Sequence, residues 1–134
     1  MRFVREDAVI CMVEPRDTDP NHKVLKEIRE RLDDVKAPDG GKLEIIEIEM
    51  PQAIEMKDWR LSRLPASYAN FLICNTIILV PTYRSPKQDG EAIEILQSLF
   101  PTRRVAGLDC TALVWGLGSI HCVTQQQPKV GRVG

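Results

Sequence analysis

The sequence contains one pattern of apolar and polar residues twice, and this repeat constrains the fold more than any other feature. Each half predicts two short strands, a helix and a third strand. The stretch "ICMVEPRDTDPNHKVLKEIRERL" aligns with "IILVPTYRSPKQDGEAIEILQSLF", and their apolar positions match. Strands that alternate with helices are typical of the α/β class, and repeated units bury their apolar faces against one another. We therefore predict about two ββαβ modules with mixed sheets and helices on the outside.

The first module is predicted to span residues 1–50. The stretches "RFV" and "AVICMVE" read as strands, and "LEIIEIEM" alternates as the third strand. Between them, residues 21 to about 35 predict an amphipathic helix because their apolar residues recur on one face: Val24, Leu25, Ile28 and Leu32.

The second module is predicted to span residues 67–128. Here "SYANFLICN" and "IILVPTY" read as strands, residues 85–90 as a turn, "EAIEILQSLF" as the helix and "RRVAGLD" as the last strand. Residues 51–66 form the predicted connection, either a surface loop pinned by Trp59 or a functional segment. Residues 129–134 are predicted to be a flexible tail.

Charge and cysteine content limit the classes of partner. A net charge of −1 and a pI near 6.1 argue against a nucleic acid or an anionic membrane held by electrostatics. The four cysteines form no CxxC pair and have no zinc-type spacing, so we expect no metal and no cofactor. Free thiols without a signal or membrane-spanning segment indicate a reducing, cytoplasmic setting.

The stretch "GLGSIHCVTQQQ", residues 116–127, places a histidine beside a cysteine. If this segment is extended, the side chains of His121 and Cys122 point to opposite faces, so His121 is a poor base for its neighbour. We assign His121 either a structural role or a role in supporting the residues of the site. His22 is interpreted as a solvated residue near the start of the first helix.

Two stretches carry a resemblance to a known family. "RLPASYANFLICN" and "EAIEILQSLFPTRRVAGLDCTALVWGLGSIHCVTQQQP", in this order, resemble the C-terminal third of agmatine deiminases, within the bacterial-type peptidylarginine deiminase family. The weaker first half is similar to the preceding module of that family. The resemblance implies a pentein fold, in which five ββαβ modules form an α/β propeller around a central active site.

The resemblance also implies a chemistry and a nucleophile. Agmatine deiminases hydrolyse the guanidinium group of agmatine to N-carbamoylputrescine and ammonia through a covalent cysteine adduct. The nucleophile's position falls on Cys122, and the backbone of Gly118 and Ser119 is implied to lie near the substrate. The family's histidine base and guanidinium-binding acids belong to earlier modules and match no residue here.

We therefore expect a C-terminal fragment or truncated homologue of a guanidine deiminase, with no turnover by the chain alone. Two departures from the family's pattern fit a sequence released from catalytic demands. Leu117 interrupts a glycine-rich run, where it restricts the backbone. Thr76 replaces a turn glycine, and because a β-branched residue disfavours positive φ, it predicts another turn type or strain.

Two alternatives stay open. In the first alternative, the chain is a non-catalytic α/β module that associates with itself, and its cysteine motif is a relic. In the second alternative, Cys122 and His121 form a metal or redox site with Cys110 or Cys74. We rank this alternative last because the spacing of these residues is wrong for zinc.

Overall fold

The computed structural model describes residues 1–56 and 62–127. Within them, the first half contains β1 (Arg2–Arg5), β2 (Ala8–Val13), α1 (His22–Leu32) and β3 (Glu44–Glu49). The second half contains β4 (Leu72–Ile73), β5 (Ile77–Thr82), α2 (Pro86–Leu99) and β6 (Arg104–Asp109). The predicted strand, strand, helix, strand order of both modules is confirmed. Trp59 and the predicted tail lie outside the described residues, and the proposed module boundaries stay predictions.

The two modules have the same sheet topology. In the first sheet, β2 lies in the centre, antiparallel to β1 and parallel to β3. In the second sheet, β5 lies in the centre, antiparallel to β4 and parallel to β6. Parallel pairing requires a crossover, and α1 and α2 provide the two crossovers. Strand β2 reads as a continuous apolar run because both of its faces are buried.

One apolar core joins the modules. Ile10, Met12 and Ile48 of the first sheet share a buried cluster with Ile78 and Val80 of the second sheet. The opposite face of β2 contributes to a smaller cluster beneath α1, which contains Val9, Cys11, Leu32 and Leu43. The alternation along β2 therefore divides its side chains between a shared core and a local one.

The entry into the second module differs from the sequence prediction. The segment read as one strand, "SYANFLICN", begins with a single-turn 3-10 helix, Tyr68–Asn70, and only Leu72–Ile73 form β4. Ser67 caps that turn by accepting a hydrogen bond from the Ala69 amide at 3.3 Å. Tyr68 is fully buried and donates to Asp89, so its side chain fixes this turn against α2.

The predicted turn over residues 85–90 is also wrong. Helix α2 begins at Pro86, because proline suits the first helical position and Asp89 occupies the first turn. The Asp89 carboxylate accepts from the amides of Tyr83 and Ser85 at 3.1 and 2.9 Å. Gly90 lies within the helix. No helix in the described part of the chain is long and apolar enough to cross a membrane.

Candidate functional site

Cys122 lies in a single-turn 3-10 helix, His121–Val123, after the last strand. The premise that His121 and Cys122 are extended is therefore wrong. In a 3-10 helix consecutive side chains diverge by about 120°, so the two residues still point in different directions. Both side chains are exposed, and Cys122 is one of four free thiols.

Asn70 joins this turn to the start of the second module. Its side-chain Nδ2 donates to Cys122 Sγ at 3.0 Å. Its Oδ1 accepts from the backbone amides of His121 at 2.9 Å and Cys122 at 3.3 Å. One side chain thus holds both the sulfur and the backbone of the cysteine turn.

Gly118 and Ser119 flank the same sulfur. A Cβ atom at Gly118 would lie 2.8 Å from Cys122 Cβ and 3.2 Å from its Sγ, so a side chain there has no room. Ser119 is fully buried, and its Oγ has no hydrogen-bond partner among the described residues. The Cys122 amide donates to the Ser119 carbonyl at 3.0 Å, which closes the turn.

Hydrogen-bond donors change the acidity of the thiol. A hydrogen bond from the Ser119 backbone and one from the Asn70 side chain hold the pKa of Cys122 below its ordinary value, although partial burial opposes them. Because the thiolate is the nucleophilic form, this shift favours reactivity. The Cys122 thiol is therefore exposed, and its hydrogen-bond donors favour the thiolate form.

Leu117, which precedes Gly118, adopts a left-handed backbone conformation, with φ 62° and ψ 24°. The leucine therefore occupies the conformation that glycine favours. Thr76 is absent from the positive-φ residues of the described chain, which confirms the other turn type predicted for it. The Cys74 amide donates to the Ile77 carbonyl across that turn at 2.9 Å.

A depression of about 330 Å³ lies beside the cysteine turn. It is lined by Met1, Arg2, Ser67, Ala69, Asn70 and His121. The Arg2 guanidinium stacks over the Phe71 ring, 4.4 Å from its centroid, and donates to the Phe71 carbonyl. The described lining contains a fixed cation and no carboxylate, so it does not supply the acids that hold a guanidinium group.

The remaining candidates lie away from this site or form no cluster. His22 is the first residue of α1, as predicted, but it is half-buried rather than fully solvated, and its Nδ1 lies 2.7 Å from the Glu14 carbonyl oxygen. Cys11 and Cys110 are buried and Cys74 is half-buried. Over residues 1–56 and 62–127, no three histidine, cysteine or acidic side chains lie together as a metal site requires.

Residues 1–128 match the family model of the Porphyromonas-type peptidyl-arginine deiminases. The chain belongs to this family. Among curated relatives, it is 33% identical over 144 residues to the agmatine deiminase of Medicago truncatula, a match that covers 96% of this chain and 38% of that protein.

Solved structures of this deiminase family show the same fold. A Porphyromonas gingivalis protein provisionally named an arginine deiminase superposes with a TM-score of 0.89 at 38% identity, covering 96% of this chain and 37% of that one. The agmatine deiminase of Enterococcus faecalis gives 0.86 at 28% identity, covering 95% and 38%. The two modules are therefore pentein modules, and the chain spans less than two fifths of the length of these relatives.

Asn70 is the neighbour of Cys122 that the sequence patterns did not predict. It lies 52 positions before Cys122, in a segment interpreted as a plain strand. The available signal was the "SYAN" stretch itself, because the serine that begins it and the asparagine that ends it are both residue types that favour capped turns.

Proposed function

We propose that this chain carries the nucleophile of a guanidine deiminase that converts agmatine and water to N-carbamoylputrescine and ammonia. The observation that carries the proposal is the exposed Cys122 thiol, whose sulfur faces the Asn70 amide donor inside the family's motif. Cys122 is the proposed nucleophile, and Gly118 and Ser119 provide backbone close to the reacting centre. The four free thiols favour a reducing, cytoplasmic setting.

The chemistry requires a thiolate because a guanidinium carbon is a weak electrophile. The Cys122 thiolate forms a C–S bond to that carbon, and one C–N bond breaks as ammonia leaves with a supplied proton. Water then adds to the amidino-thioether carbon, the C–S bond breaks, and the thiolate returns with release of the urea product. Among the described residues, no carboxylate or imidazole ring hydrogen-bonds to Cys122 Sγ, so proton transfer and guanidinium binding need groups beyond those described here.

Transplanting the chain into a complete relative tests this proposal. We expect the chain alone to release no ammonia from agmatine. Residues 1–128, exchanged for the matching segment of the Enterococcus faecalis agmatine deiminase, should give an active chimera. Cys122→Ala in that chimera should lower turnover by roughly 10⁴-fold or more, whereas Cys74→Ala should leave it unchanged.

A folded chimera without activity would favour the second candidate, a self-associating module whose cysteine motif is a relic. This candidate is supported by large apolar side chains of the second module that are exposed: Leu108, Leu113, Trp115, Leu117 and Val123. Exposed apolar groups of this size commonly mark contact surfaces, here proposed for a second copy of the chain.

Sedimentation analysis across a hundredfold concentration range tests the association. We expect the weight-average mass to rise with concentration and Trp115→Ser to weaken that rise. Phe3→Ser, which removes an exposed aromatic residue of the first module, is the matched control. A monomer at every concentration contradicts self-association.

A further inference from the structure

Strand β6 lies at the edge of the second sheet, and its outer side has no partner strand among the described residues. The amides of Arg104 and Cys110 donate inward, to carbonyls on the β5 side. Because backbone groups alternate in direction along a strand, the N–H and C=O groups of Val105, Gly107 and Asp109 point outward. A row of such groups is a template on which another strand can form.

Helix α2 covers only the first part of this edge. Gln97 of α2 accepts a hydrogen bond from the Val105 amide at 3.1 Å, so its side chain takes the place of a neighbouring strand there. Residues 107–109 lie beyond that cap and are exposed. The Gly107 and Asp109 amides donate to no acceptor outside β6 in the described part of the chain. The second half of β6 is therefore an open edge.

The other three sheet edges carry features that oppose pairing. Strand β1 has an irregular register near its centre. Strand β3 carries three glutamates among its six residues, so two copies of it would repel each other. Strand β4 contains only two residues. Irregular register, like charge and short length are devices that protect sheet edges, and residues 107–109 have one charge, Asp109, which pairs with Arg84 at 3.1 Å.

We propose that residues 107–109 pair antiparallel with the same residues of a second copy of this chain. The result is a two-fold symmetric dimer with one continuous sheet of six strands, three from each copy. Gly107 of one copy exchanges backbone hydrogen bonds with Asp109 of the other, and Leu108 lies at the axis. The inference names the contact for the second candidate, the self-associating module, and does not depend on the chemistry of Cys122.

The side chains of this segment suit that register. Gly107 faces α2, since a Cβ there would lie 3.0 Å from Ile93 Cδ1, and it places no side chain against Asp109 of the second copy. On the opposite face the two Leu108 side chains meet as a non-hydrogen-bonded pair, with Cβ atoms about 5 Å apart. Leu108 is 49% exposed in the single chain, so pairing removes apolar surface from water.

Hydrogen exchange followed by NMR, at two concentrations of the full chain about a hundredfold apart, tests the pairing without a substitution. Pairing over three residues buries little area, so the dimer should form only at the higher concentration. There the Gly107 and Asp109 amides should exchange at least roughly threefold more slowly. The Leu108 amide, which faces β5, and the Val105 amide, which Gln97 caps, are internal controls and should not change.

A disulfide tests the register. Cys74→Ser and Cys122→Ser first remove the two cysteines that are not buried. In that background Leu108→Cys places two thiols opposite each other at the axis, and oxidation with diamide should link the two copies. Arg104→Cys, on the same face of β6 but at the far end of the strand, is the matched control. It should give at least roughly tenfold less covalent dimer.

Equal cross-linking of Leu108→Cys and Arg104→Cys would overturn the proposal, since collision rather than pairing would then join the chains. Unchanged exchange of the Gly107 and Asp109 amides at both concentrations would also overturn it. Slow exchange of these amides in a chain that sediments as a monomer would do the same, because something other than a second copy would then cover the edge.

Sedimentation separates this failure from that of the second candidate function. A chain that associates without slower exchange at Gly107 and Asp109 rejects the β6 contact and leaves self-association standing. A monomer at every concentration rejects both. The activity of the chimera with Cys122 is measured independently and bears on neither result.

Discussion

The two modules share a topology but differ in what their helices contact. Helix α1 packs against β2 of its own sheet, above the small cluster that contains Leu32. Helix α2 packs against β5 and β6 of its own sheet and also against β3 of the first module. Its buried residues, Ala92 and Leu96, belong to the shared core. The same ββαβ unit thus provides a peripheral helix in one case and a joining helix in the other.

The loops that lead into the two helices also differ, in the kind of interaction that holds each loop. In the first module, Glu14 pairs with Arg16 at 2.7 Å, and Asp19 pairs with Arg63 at 2.7 Å. In the second module, Asp89 is bound by neutral donors, the Tyr68 hydroxyl and two backbone amides. Ion pairs therefore hold the entry to the peripheral helix, whereas neutral donors from buried residues hold the Asp89 carboxylate at the entry to the joining helix.

The largest expected effect comes from shortening one core leucine in each helix. Leu96→Ala should lower the free energy of unfolding by about 4 kcal/mol, because its cavity opens in the shared core. Leu32→Ala should lower it by about 2 kcal/mol, because the cluster beneath α1 is small and near the surface. Urea unfolding of both variants measures the difference. Equal losses would contradict the distinction between a joining and a peripheral helix.

The next effect concerns the glycines before the cysteine. Gly118→Ala should lower the free energy of unfolding by roughly 2 kcal/mol and slow Cys122 alkylation, since the added Cβ displaces the sulfur. Gly116→Ala is the matched control, because nothing lies within 4 Å of its added Cβ. Chemical denaturation and peptide-resolved labelling provide the two readouts. Similar behaviour of the two variants would show that the cysteine turn tolerates displacement.

The ion pairs of the first module predict an acid-dependent contribution. The hydrogen bond from Arg16 holds the pKa of Glu14 below its ordinary value of 4.5. A lowered folded pKa means that this stabilisation is complete above pH 4.5 and is lost as the pH falls through the folded pKa. We expect Glu14→Gln to be less stable than the wild type by about 1 kcal/mol at pH 7, with a smaller gap at pH 3.5.

Urea midpoints at both pH values measure the gap. Ser85→Ala, which removes the neutral hydrogen bond from the Gln52 amide in the second module, is the control and should give a gap independent of pH. If the stability difference between Glu14→Gln and the wild type were the same at both pH values, the ion pair between Glu14 and Arg16 would not stabilise the first loop.

The smallest expected effect concerns two residues with left-handed backbone conformation, a glycine in the first module and a leucine in the second. Residues 1–50 place Gly40 at φ 81°, whereas the second module places Leu117 at φ 62°. Leu117→Gly should raise the unfolding free energy by at most about 1 kcal/mol, and Gly40→Ala should lower it by about 1 kcal/mol. Thermal unfolding of both variants measures the two signs. A loss of stability in Leu117→Gly would show that the leucine side chain packs usefully.

The repeat and the apolar periodicity predicted the topology, because burial on fixed faces imposes those patterns locally. They failed where the deciding contact is distant. Gly90 reads as a helix breaker, yet α2 begins before it at Pro86, and Asp89 in its first turn is held by the Tyr68 hydroxyl from 21 residues away. The family motif located Cys122, but no local pattern reveals that Asn70 contacts it from 52 residues away. The conformation at His121 was also misjudged, because a 3-10 turn depends on those distant contacts.

The hydrogen bond between Asn70 and Cys122 also bears on the order of folding. It closes a loop of 52 residues that contains the complete second sheet and α2. A contact of that separation forms after the local strand and helix pairing, since loop closure must be compensated by structure already present. The cysteine turn is therefore expected to assemble last and open first, so its amides should exchange with solvent by local opening while the β5 amides exchange only on global unfolding.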